Sequence, residues 1–490
     1  DFSSFSRSSA GSRVDENGLI NTGLGLGSEE IVNGDFDTDS DWIKQDNWQI
    51  SNGNANTSSA ITATAWVYQL KSNTYDINKV FEISADIVVN SGSCELGIGS
   101  AFSSSITESG TYSFILTMPA NHTFAGCRAQ TGFEGSIDNI SVREVTEVNT
   151  DVPRIDYTGG GCPSLLLEPQ STNYIEYSED FTQSSWVKTS STITSNTGIS
   201  PDGSQNADNL YFDGTFNASL KKSITTTSGQ VYTFSIWIKK ISANYTNNAN
   251  ARMGAFGSGT VGIFLLGDAL NSAAVGEFVR YSVTTSASTG GASSFQFRSD
   301  EEATFEVWGA QVEPLSYATS YIPNYGTSAG VTRSQDVGGS TGDLSSVINS
   351  TEGVLMTEIS AFSSEVEQNH SIAITGANND NRIYIYRSND DDKYAFAVFS
   401  GGSLQCNIKS GEVDFSQNVK IAAKYKENDF ALWINGLEVV SQSSGVSPIG
   451  LSKFYLNQGG GTNLFYGKIK QIRYYNEALS DTELQELTTL

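Results

Sequence analysis

The chain has 490 residues and a formal net charge of −26, from 54 acidic and 28 basic residues. This acidic surplus argues against binding to a nucleic-acid backbone or to an anionic membrane surface, because both require clustered Lys and Arg. No apolar run approaches the ~20 residues that a membrane-spanning helix needs. Aromatic residues make up 11% and charged residues 17%, which is typical of packed β domains. At about 100–200 residues per domain, the length favours three domains.

In chain order, a polar N-terminal segment, residues 1–29, precedes a first predicted domain, residues 30–148. Within that domain, residues 80–87 and 112–116 alternate between apolar and polar side chains, which predicts β-strands joined by Asn, Gly and Ser turns. Residues 149–173 form a connector that contains three prolines. Because proline fixes φ and removes a backbone donor, we predict a rigid extended segment there rather than a helix.

The second predicted domain, residues 174–322, repeats the first in outline. Asp35 and Phe36 precede Trp42, and in the same way Asp180 and Phe181 precede Trp186. Two divergent copies of one sandwich are the simplest explanation. Residues 323–342, rich in Gly, Ser and Thr, are predicted to be a linker.

The third predicted domain, residues 343–490, shows the clearest alternation of apolar and polar side chains. The runs are residues 382–386, 394–399, 419–425 and 430–434. Asn435 and Gly436 between two such runs predict a tight hairpin turn. Ser480 and Glu483 have the spacing of a capping box and predict one short C-terminal helix.

Cysteine and histidine offer little for catalysis. The cysteines are Cys94, Cys127, Cys162 and Cys406, with no CxxC spacing. Cys94 and Cys127 could form a disulfide within the first domain, but we expect buried free thiols. The two histidines, His122 and His370, lie in different predicted domains, which nearly excludes a zinc site or a histidine-based triad.

Several segments carry a resemblance to a known family. They are FSRSSA at residues 5–10, RIDYTGGGCPSLLLEPQSTNYIEYSEDF at 154–181, GAQVE at 309–313 and ATSYIP at 318–323. These segments resemble ones that recur in virion proteins of tailed bacteriophages, which implies a virion component and names no chemistry. In that family residues 18–20 would run almost directly into residues 152–157, so the first domain is predicted to be an insertion into a loop.

Two further resemblances concern folds. IVNGDF at residues 31–36, Trp42 and GSIDNISV at 135–142 resemble the jelly-roll carbohydrate-binding modules that occur beside polysaccharide hydrolases. The strand order and helical ending of the third domain are similar to laminin-G and concanavalin-A-like sandwiches. We therefore predict an all-β chain of three β-sandwich (jelly-roll) domains in series, with the first inserted into the N-terminal segment and a short C-terminal helix.

The carbohydrate-binding modules imply a calcium ion between the opening strand and an Asp of the closing strand. Asp35 and Asp138 occupy the matching positions, with Glu30 nearby. Calcium suits such loops because it takes six to eight oxygen ligands. The alternative is that Asp35 shapes a turn and Asp138 faces solvent. In the second domain Val307 and Trp308 stand where the closing Asp would be.

Sugar binding uses aromatic ring faces flanked by hydrogen-bonding side chains. The candidates are Trp48, Trp66 and Tyr68 in the first domain and Tyr384, Tyr386 and Trp433 in the third. Trp residues within alternating strands belong to the core more often than to a ligand platform, and this applies to Trp42, Trp186, Trp237 and Trp433. Trp66 and Tyr68 are two residues apart and therefore share one face of a strand, which makes them the pair to test.

Catalysis would require paired carboxylates or an activated nucleophile. The third domain lacks the Glu-x-Asp-x-x-Glu strand of concanavalin-A-like glucanases. The acidic runs at residues 300–302 and 390–392 are interpreted as solvated loop tips. The sequence therefore predicts a protein that is not an enzyme.

Together these observations predict a non-enzymatic bacteriophage virion surface protein, a tail-fibre or appendage component that binds host-surface polysaccharide or glycan. Its partners would be other virion proteins and further copies of itself, with no nucleic acid and no membrane insertion, and it would be assembled in the host cytoplasm. Weak sites on many copies would act through avidity. The alternatives are a structural capsid-decoration or fibre-spacer protein, a bacterial surface lectin, and a polysaccharide depolymerase, which requires a carboxylate pair about 5–10 Å apart in a cleft.

Overall fold

The computed structural model describes residues 5–257, 260–362, 369–388, 391, 393–414 and 416–490. It is 52% strand and 4% helix. Three β-sandwiches follow one another along the chain, which confirms the predicted all-β fold class. No helix among the residues described is both long and apolar enough to cross a membrane.

The N-terminal segment contributes three short strands to the contacts between domains. They are β1 (Phe5–Ser6), β2 (Arg13–Val14) and β3 (Ile20–Asn21). β2 pairs with β3. The segment meets the end of the first sandwich, since Val148 N donates to Gly23 O at 3.0 Å. The two ends of the first sandwich are therefore adjacent, as an inserted domain requires.

The first sandwich consists of two sheets. Its strands are β4 (Leu24–Glu29), β5 (Ile43–Lys44), β6 (Trp48–Ser51), β7 (Asn54–Thr57), β8 (Ala65–Tyr75), β9 (Val80–Ser91), β10 (Cys94–Ile98), β11 (Ala101–Phe102), β12 (Gly110–Thr117), β13 (His122–Ala129) and β14 (Glu134–Glu147). One sheet has the order β11-β10-β13-β8-β5, and the other has the order β12-β9-β14-β7-β6 with β4 beside β14. Alternate residues such as Val67, Ile83, Leu96 and Ile137 are fully buried between the sheets.

The connector contains β15 (Arg154–Asp156), β16 (Ser164–Leu167) and β17 (Ser171–Asn173). The second sandwich contains β18 (Val187–Thr189), β19 (Ser191–Gly198), β20 (Ala207–Asp213), β21 (Ala218–Thr226), β22 (Thr233–Ser242), β23 (Ala251–Gly257), β24 (Thr260–Leu265), β25 (Phe278–Thr284), β26 (Gly291–Ser299) and β27 (Glu302–Glu313), with a 3-10 turn (Asn248–Asn250) and α1 (Gly267–Ser272). Its sheet orders are β18-β21-β26-β23-β24 and β19-β20-β27-β22-β25.

The linker holds β28 (Val331–Arg333) and β29 (Val337–Gly338). The third sandwich holds β30 (Glu352–Ala361), β31 (His370–Thr375), β32 (Arg382–Arg387), β33 (Tyr394–Ser400), β34 (Ser403–Lys409), β35 (Val419–Lys426), β36 (Phe430–Ile434), β37 (Leu437–Gln442), β38 (Lys453–Tyr455), β39 (Gly467–Tyr475) and α2 (Asp481–Thr488). Asn435 and Gly436 have φ values of 50° and 83° between β36 and β37, which confirms the hairpin turn. Ser480 and Glu483 form both bonds of the capping box at the start of α2.

The connector completes a sheet of the third sandwich. That sheet has the order β15-β16-β39-β30-β35-β36-β37, and Leu165 lies opposite Ile469. The remaining connecting strands pair with each other, β1 with β29 and β17 with β28. The segments between the sandwiches are therefore hydrogen-bonded parts of the fold.

Five charged side chains, all buried, join the N-terminal segment, the connector and the linker. This buried charge cluster consists of Arg7, Arg154, Glu168, Arg333 and Asp336. Arg7 pairs with Asp336 at 2.9 Å and Arg154 with Glu168 at 2.6 Å. Burial alone would raise the pKa of Glu168, but the guanidinium groups of Arg333 and Arg154 outweigh it and lower the pKa to about 2. Buried charges persist only when paired in this way.

All four cysteines are free thiols. Cys94, Cys127 and Cys406 are buried, and Cys162 is exposed. Burial raises the pKa of the Cys127 thiol, and the neighbouring Cys94 raises it further. These buried thiols act as small core side chains.

Candidate functional site

Four aromatic side chains lie together on the outer face of the five-stranded sheet of the first sandwich. We call Trp66 and Tyr68 of β8, Phe102 of β11 and Phe124 of β13 the aromatic patch. Alternation along β8 buries Ala65, Val67 and Gln69 and leaves the rings of Trp66 and Tyr68 half-buried on the opposite face. The spacing of two residues therefore places this predicted pair on one outer surface.

The rings of the aromatic patch contact one another mainly edge to face. The Trp66 ring centroid lies 5.5 Å from that of Phe124 and 5.7 Å from that of Phe102. The Tyr68 and Phe124 centroids are 5.6 Å apart. Aromatic pairs prefer such geometry, which holds the rings in place before any ligand binds.

Two glycines allow the rings to approach the sheet. Gly97 of β10 lies opposite Gly126 of β13. A Cβ atom at Gly97 would lie 2.8 Å from the Phe102 ring and 3.0 Å from the Trp66 ring, and one at Gly126 would collide with the carbonyl oxygen of Val67. The patch depends on these small residues, and no local sequence pattern distinguishes them from the other glycines of the chain.

Charged and amide groups flank the aromatic patch. The guanidinium group of Arg128 lies 3.5 Å from the Phe102 ring centroid and donates from Nε to Glu95 Oε2 at 2.8 Å. Gln130 Nε2 donates to the same oxygen at 2.9 Å. Rings beside such hydrogen-bonding groups are the combination that carbohydrate recognition uses.

Three other residues were predicted to offer exposed rings to a sugar. All three are buried, so that prediction is corrected. Trp48 is only 5% exposed and packs against Phe133 with ring centroids 5.7 Å apart. Tyr384 and Tyr386 are each 7% exposed, and their rings cover Ala373, Ala395 and Ala397. Alternation shows which residues share a face but not whether that face is covered, which explains these errors.

The Trp residues expected in the core lie largely there. Trp42, Trp186 and Trp433 are buried. Trp433 packs with Leu484 of α2. Trp237 is half-buried, with the Arg280 guanidinium group 4.2 Å from its ring centroid.

The structure does not gather the three predicted calcium ligands into one group of side chains. Asp35 is exposed, and Glu30 forms an ion pair with Lys71 at 2.6 Å. Burial raises the pKa of Asp138, and Asp86 and Asp35 add to the rise. Within the described part of the chain, no group of three or more His, Cys, Asp or Glu side chains is arranged to hold a metal ion. Calcium binding at Asp35 and Asp138 stays a prediction.

The acidic run at residues 300–302 forms hydrogen bonds within the protein, while Glu302 remains exposed, as the sequence interpretation expects of a solvated run. Asp300 accepts from Arg298 Nε at 2.8 Å, and Glu301 Oε1 accepts from Asn250 Nδ2 at 2.6 Å. In the run at 390–392, Asp390 and Asp392 lie outside the described residues. Asp391 pairs with Lys409 at 3.1 Å.

A cavity of about 800 Å³ lies between the first and second sandwiches, and we call it the interdomain cleft. Residues 100–104 and 111–117 line it on one side, and residues 195–196 and 204–206 line it on the other. Four carboxyl groups also line it, those of Glu82, Glu179, Asp180 and Asp202. Because the cleft joins segments far apart in the sequence, no local pattern pointed to it.

Glu179 is the most strongly perturbed acid of the cleft. Burial, followed by the neighbouring Asp202, raises its pKa to about 8, so the carboxyl group is largely protonated at pH 7. Tyr321 Oη donates to its Oε1 at 2.9 Å, and Asn206 Nδ2 donates to its Oε2 at 3.0 Å. Both oxygens are thus engaged by protein side chains.

Comparisons with solved structures gave matches of low similarity. The CBM40 of the Ruminococcus gnavus IT-sialidase bound to α2,3 sialyllactose is 19% identical, with 30% of this chain and 90% of that chain covered and a TM-score of 0.26. The CBM22-1-CBM22-2 tandem of Paenibacillus barcinonensis Xyn10C is 10% identical, with 59% and 98% covered and a TM-score of 0.23. The extracellular region of zebrafish Gpr126/Adgrg6 is 11% identical, with 61% and 37% covered and a TM-score of 0.20. All three TM-scores are too low to indicate a shared function.

No curated protein matches this chain. Residues 362–485 match a family model, Laminin_G_3, described as the concanavalin A-like lectin/glucanases superfamily. The match lies within the third sandwich and agrees with the predicted laminin-G and concanavalin-A-like resemblance. The third sandwich is thus similar to the concanavalin A-like superfamily over these residues.

Proposed function

We propose that this chain binds glycans without altering them chemically, as a tail-fibre or appendage component on the surface of a bacteriophage virion. The aromatic patch is the observation that carries glycan binding. Trp66 and Tyr68 offer partly exposed ring surface to the apolar side of a pyranose, and the paired Arg128 and Glu95 can hydrogen-bond its hydroxyl groups.

The virion location is supported by the resemblance of residues 5–10 and 154–181 to segments of phage virion proteins. Arg7, Arg154 and Glu168 of those segments lie in the buried charge cluster. They hold the sandwiches together, so the resemblance concerns architecture. In a virion, other virion proteins and further copies of the chain would be its partners, and many weak glycan sites would act together.

The acid that a depolymerase would use is Glu179, because a glycosidase acid must give its proton to the glycosidic oxygen and therefore has a raised pKa. Tyr321 and Asn206 donate hydrogen bonds to its two oxygens. A depolymerase would release new reducing ends from the bound polysaccharide, whereas we expect none.

The test compares glycan-array and host-cell binding of the full chain with that of the double variant Trp66→Ala/Tyr68→Ala. We expect the variant to lose binding while keeping the melting temperature of the native chain within a few degrees. Phe216→Ala is the matched control, because Phe216 is an aromatic residue of the second sandwich that is 72% exposed.

The control should bind as the native chain does. Adsorption that is unchanged in the double variant would favour the structural capsid-decoration or fibre-spacer role. New reducing ends in the bound polysaccharide would favour the depolymerase.

A further inference from the structure

The chemistry of the interdomain cleft identifies the kind of ligand that it can hold. Four carboxyl groups line it, and none of its described lining residues is Lys, Arg or His. Glu179 is largely neutral because of its raised pKa, but the other three carboxyl groups would repel an anionic glycan, a phosphate or a nucleotide. The remaining lining is rich in Ser, Thr, Asn and Gln side chains, which exchange hydrogen bonds with hydroxyl groups. An uncharged polyhydroxylated ligand therefore fits this lining.

The cleft also presents the edge of a sheet. β12 is the outermost strand of its sheet, and among the described strands it pairs only with β9. All seven residues from 111 to 117 line the cleft. Successive side chains of a strand point to opposite faces of the sheet, so consecutive residues can all line one cavity only where the edge of the strand borders it. Backbone N–H and C=O groups of an edge strand can bind a ligand along its length.

The cleft and the aromatic patch share a residue. Phe102 lines the cleft, and its ring centroid lies 5.7 Å from that of Trp66. On the cleft side, the rings of Tyr112 and Phe114 are nearly parallel, at 4°, with centroids 6.2 Å apart. The rings of Tyr112 and Phe114 also pack against the core of the first sandwich, and Phe102 is the residue at which the patch and the cleft meet.

Direct contacts fix the two walls of the cleft relative to each other. Ser104 Oγ and Ser195 Oγ are 3.1 Å apart across the two sandwiches, and Ile20 N donates to Pro201 O at 2.9 Å. Thr117 of β12 also donates its hydroxyl to the carbonyl of Tyr325. A cleft held open in this way costs little to organise when a ligand binds.

We propose that the interdomain cleft binds an uncharged oligosaccharide segment, continuous at Phe102 with the aromatic patch, so that both sites hold a single glycan chain. This inference rests on the proposed glycan-binding function. It names the substrate class as neutral glycans long enough to reach from the patch into the cleft.

The test measures how affinity depends on chain length. The probes are neutral glucan, mannan and galactan oligosaccharides of two to eight units, with polygalacturonate oligomers as the anionic set. For a neutral series that binds, we expect the longest member to bind the native chain about tenfold or more tightly than the shortest. Ser113→Trp, which places a large side chain on the exposed surface of β12, should abolish that gain and leave the affinity for the shortest oligomer unchanged.

Two further variants keep the test decisive. Ser204→Trp fills the cleft from the opposite wall and should act as Ser113→Trp does, even if the latter fails to fold. Ser441→Trp, on an exposed position of β37, is the control and should retain the full gain with length.

The failures of the two proposals are distinguishable. Binding of neutral oligosaccharides with the same length dependence in Ser113→Trp, Ser204→Trp and the native chain would overturn the cleft proposal alone. Binding restricted to the anionic set would also overturn the cleft proposal and leave the patch standing. A lack of binding to every glycan would overturn both.

Discussion

Replacing Glu179 by Gln should remove a pH dependence that the buried carboxyl group imposes on stability. Burial, with a smaller contribution from Asp202, raises the pKa of Glu179 from 4.5 to about 8. Between these pH values the folded chain keeps a proton that the unfolded chain has released, so the free energy of unfolding falls as pH rises. At 1.36 kcal/mol per pH unit, the whole window corresponds to at most about 5 kcal/mol.

The fold should tolerate Glu179→Gln. Gln is neutral and has nearly the shape of the protonated carboxyl group. Asn206 Oδ1 is a buried atom that has no hydrogen-bond partner within the described part of the chain, and it can accept from the new amide. Burial also raises the pKa of Asp208 to about 8. Asp208 titrates in both proteins, and because it is a small cause of the Glu179 shift, most of its contribution cancels from their difference.

The assay compares melting temperatures of the native chain and Glu179→Gln by calorimetry from pH 5 to pH 8. We expect the stability of the variant relative to the native chain to increase steadily with pH and to be greatest at pH 8. Glu486→Gln, at an exposed position on α2, is the control and should show no such trend. A difference between Glu179→Gln and the native chain that does not change with pH would refute the reasoning.

Three other predictions concern the charge cluster, calcium and the C-terminal helix. Glu168→Gln leaves Arg154 and Arg333 without their shared carboxylate and should cost about 3–5 kcal/mol, measured by urea unfolding. If Asp138 binds calcium, adding calcium should raise the melting temperature of the native chain but not of Asp138→Asn, and EDTA should reverse the rise; equal shifts in both would contradict the assignment. Ser480→Ala removes the capping box and should destabilise α2 by about 1 kcal/mol, seen as faster amide exchange confined to that helix.

Local sequence patterns predicted those elements that depend only on neighbouring residues. The alternation of residues 394–399 corresponds to β33, and the Asn435–Gly436 turn and the Ser480 cap form within a few residues of chain. The spacing of Trp66 and Tyr68 likewise fixed their common face. Each of these depends on backbone geometry that the nearest residues determine.

The features of the site that the sequence did not predict depend on residues far away in the chain. Phe102 and Phe124 join Trp66 only because β11 and β13 lie in the same sheet as β8. Trp48 is buried because the fold places Phe133 against it. The interdomain cleft forms where β12 meets loops of another sandwich, and no pattern within either segment carries that information.

The pairing of β16 with β39 has a consequence for how the chain can fold during synthesis. Leu165 leaves the ribosome roughly 300 residues before its partner Ile469, so β16 must wait while the entire second sandwich is made. Until then its apolar side chains lack their partner strand. A fragment that begins at residue 343 would lack β15 and β16, leaving β39 as an exposed edge open to pairing with other chains. Soluble expression of the third sandwich should therefore require residues 149–173 to be supplied with it.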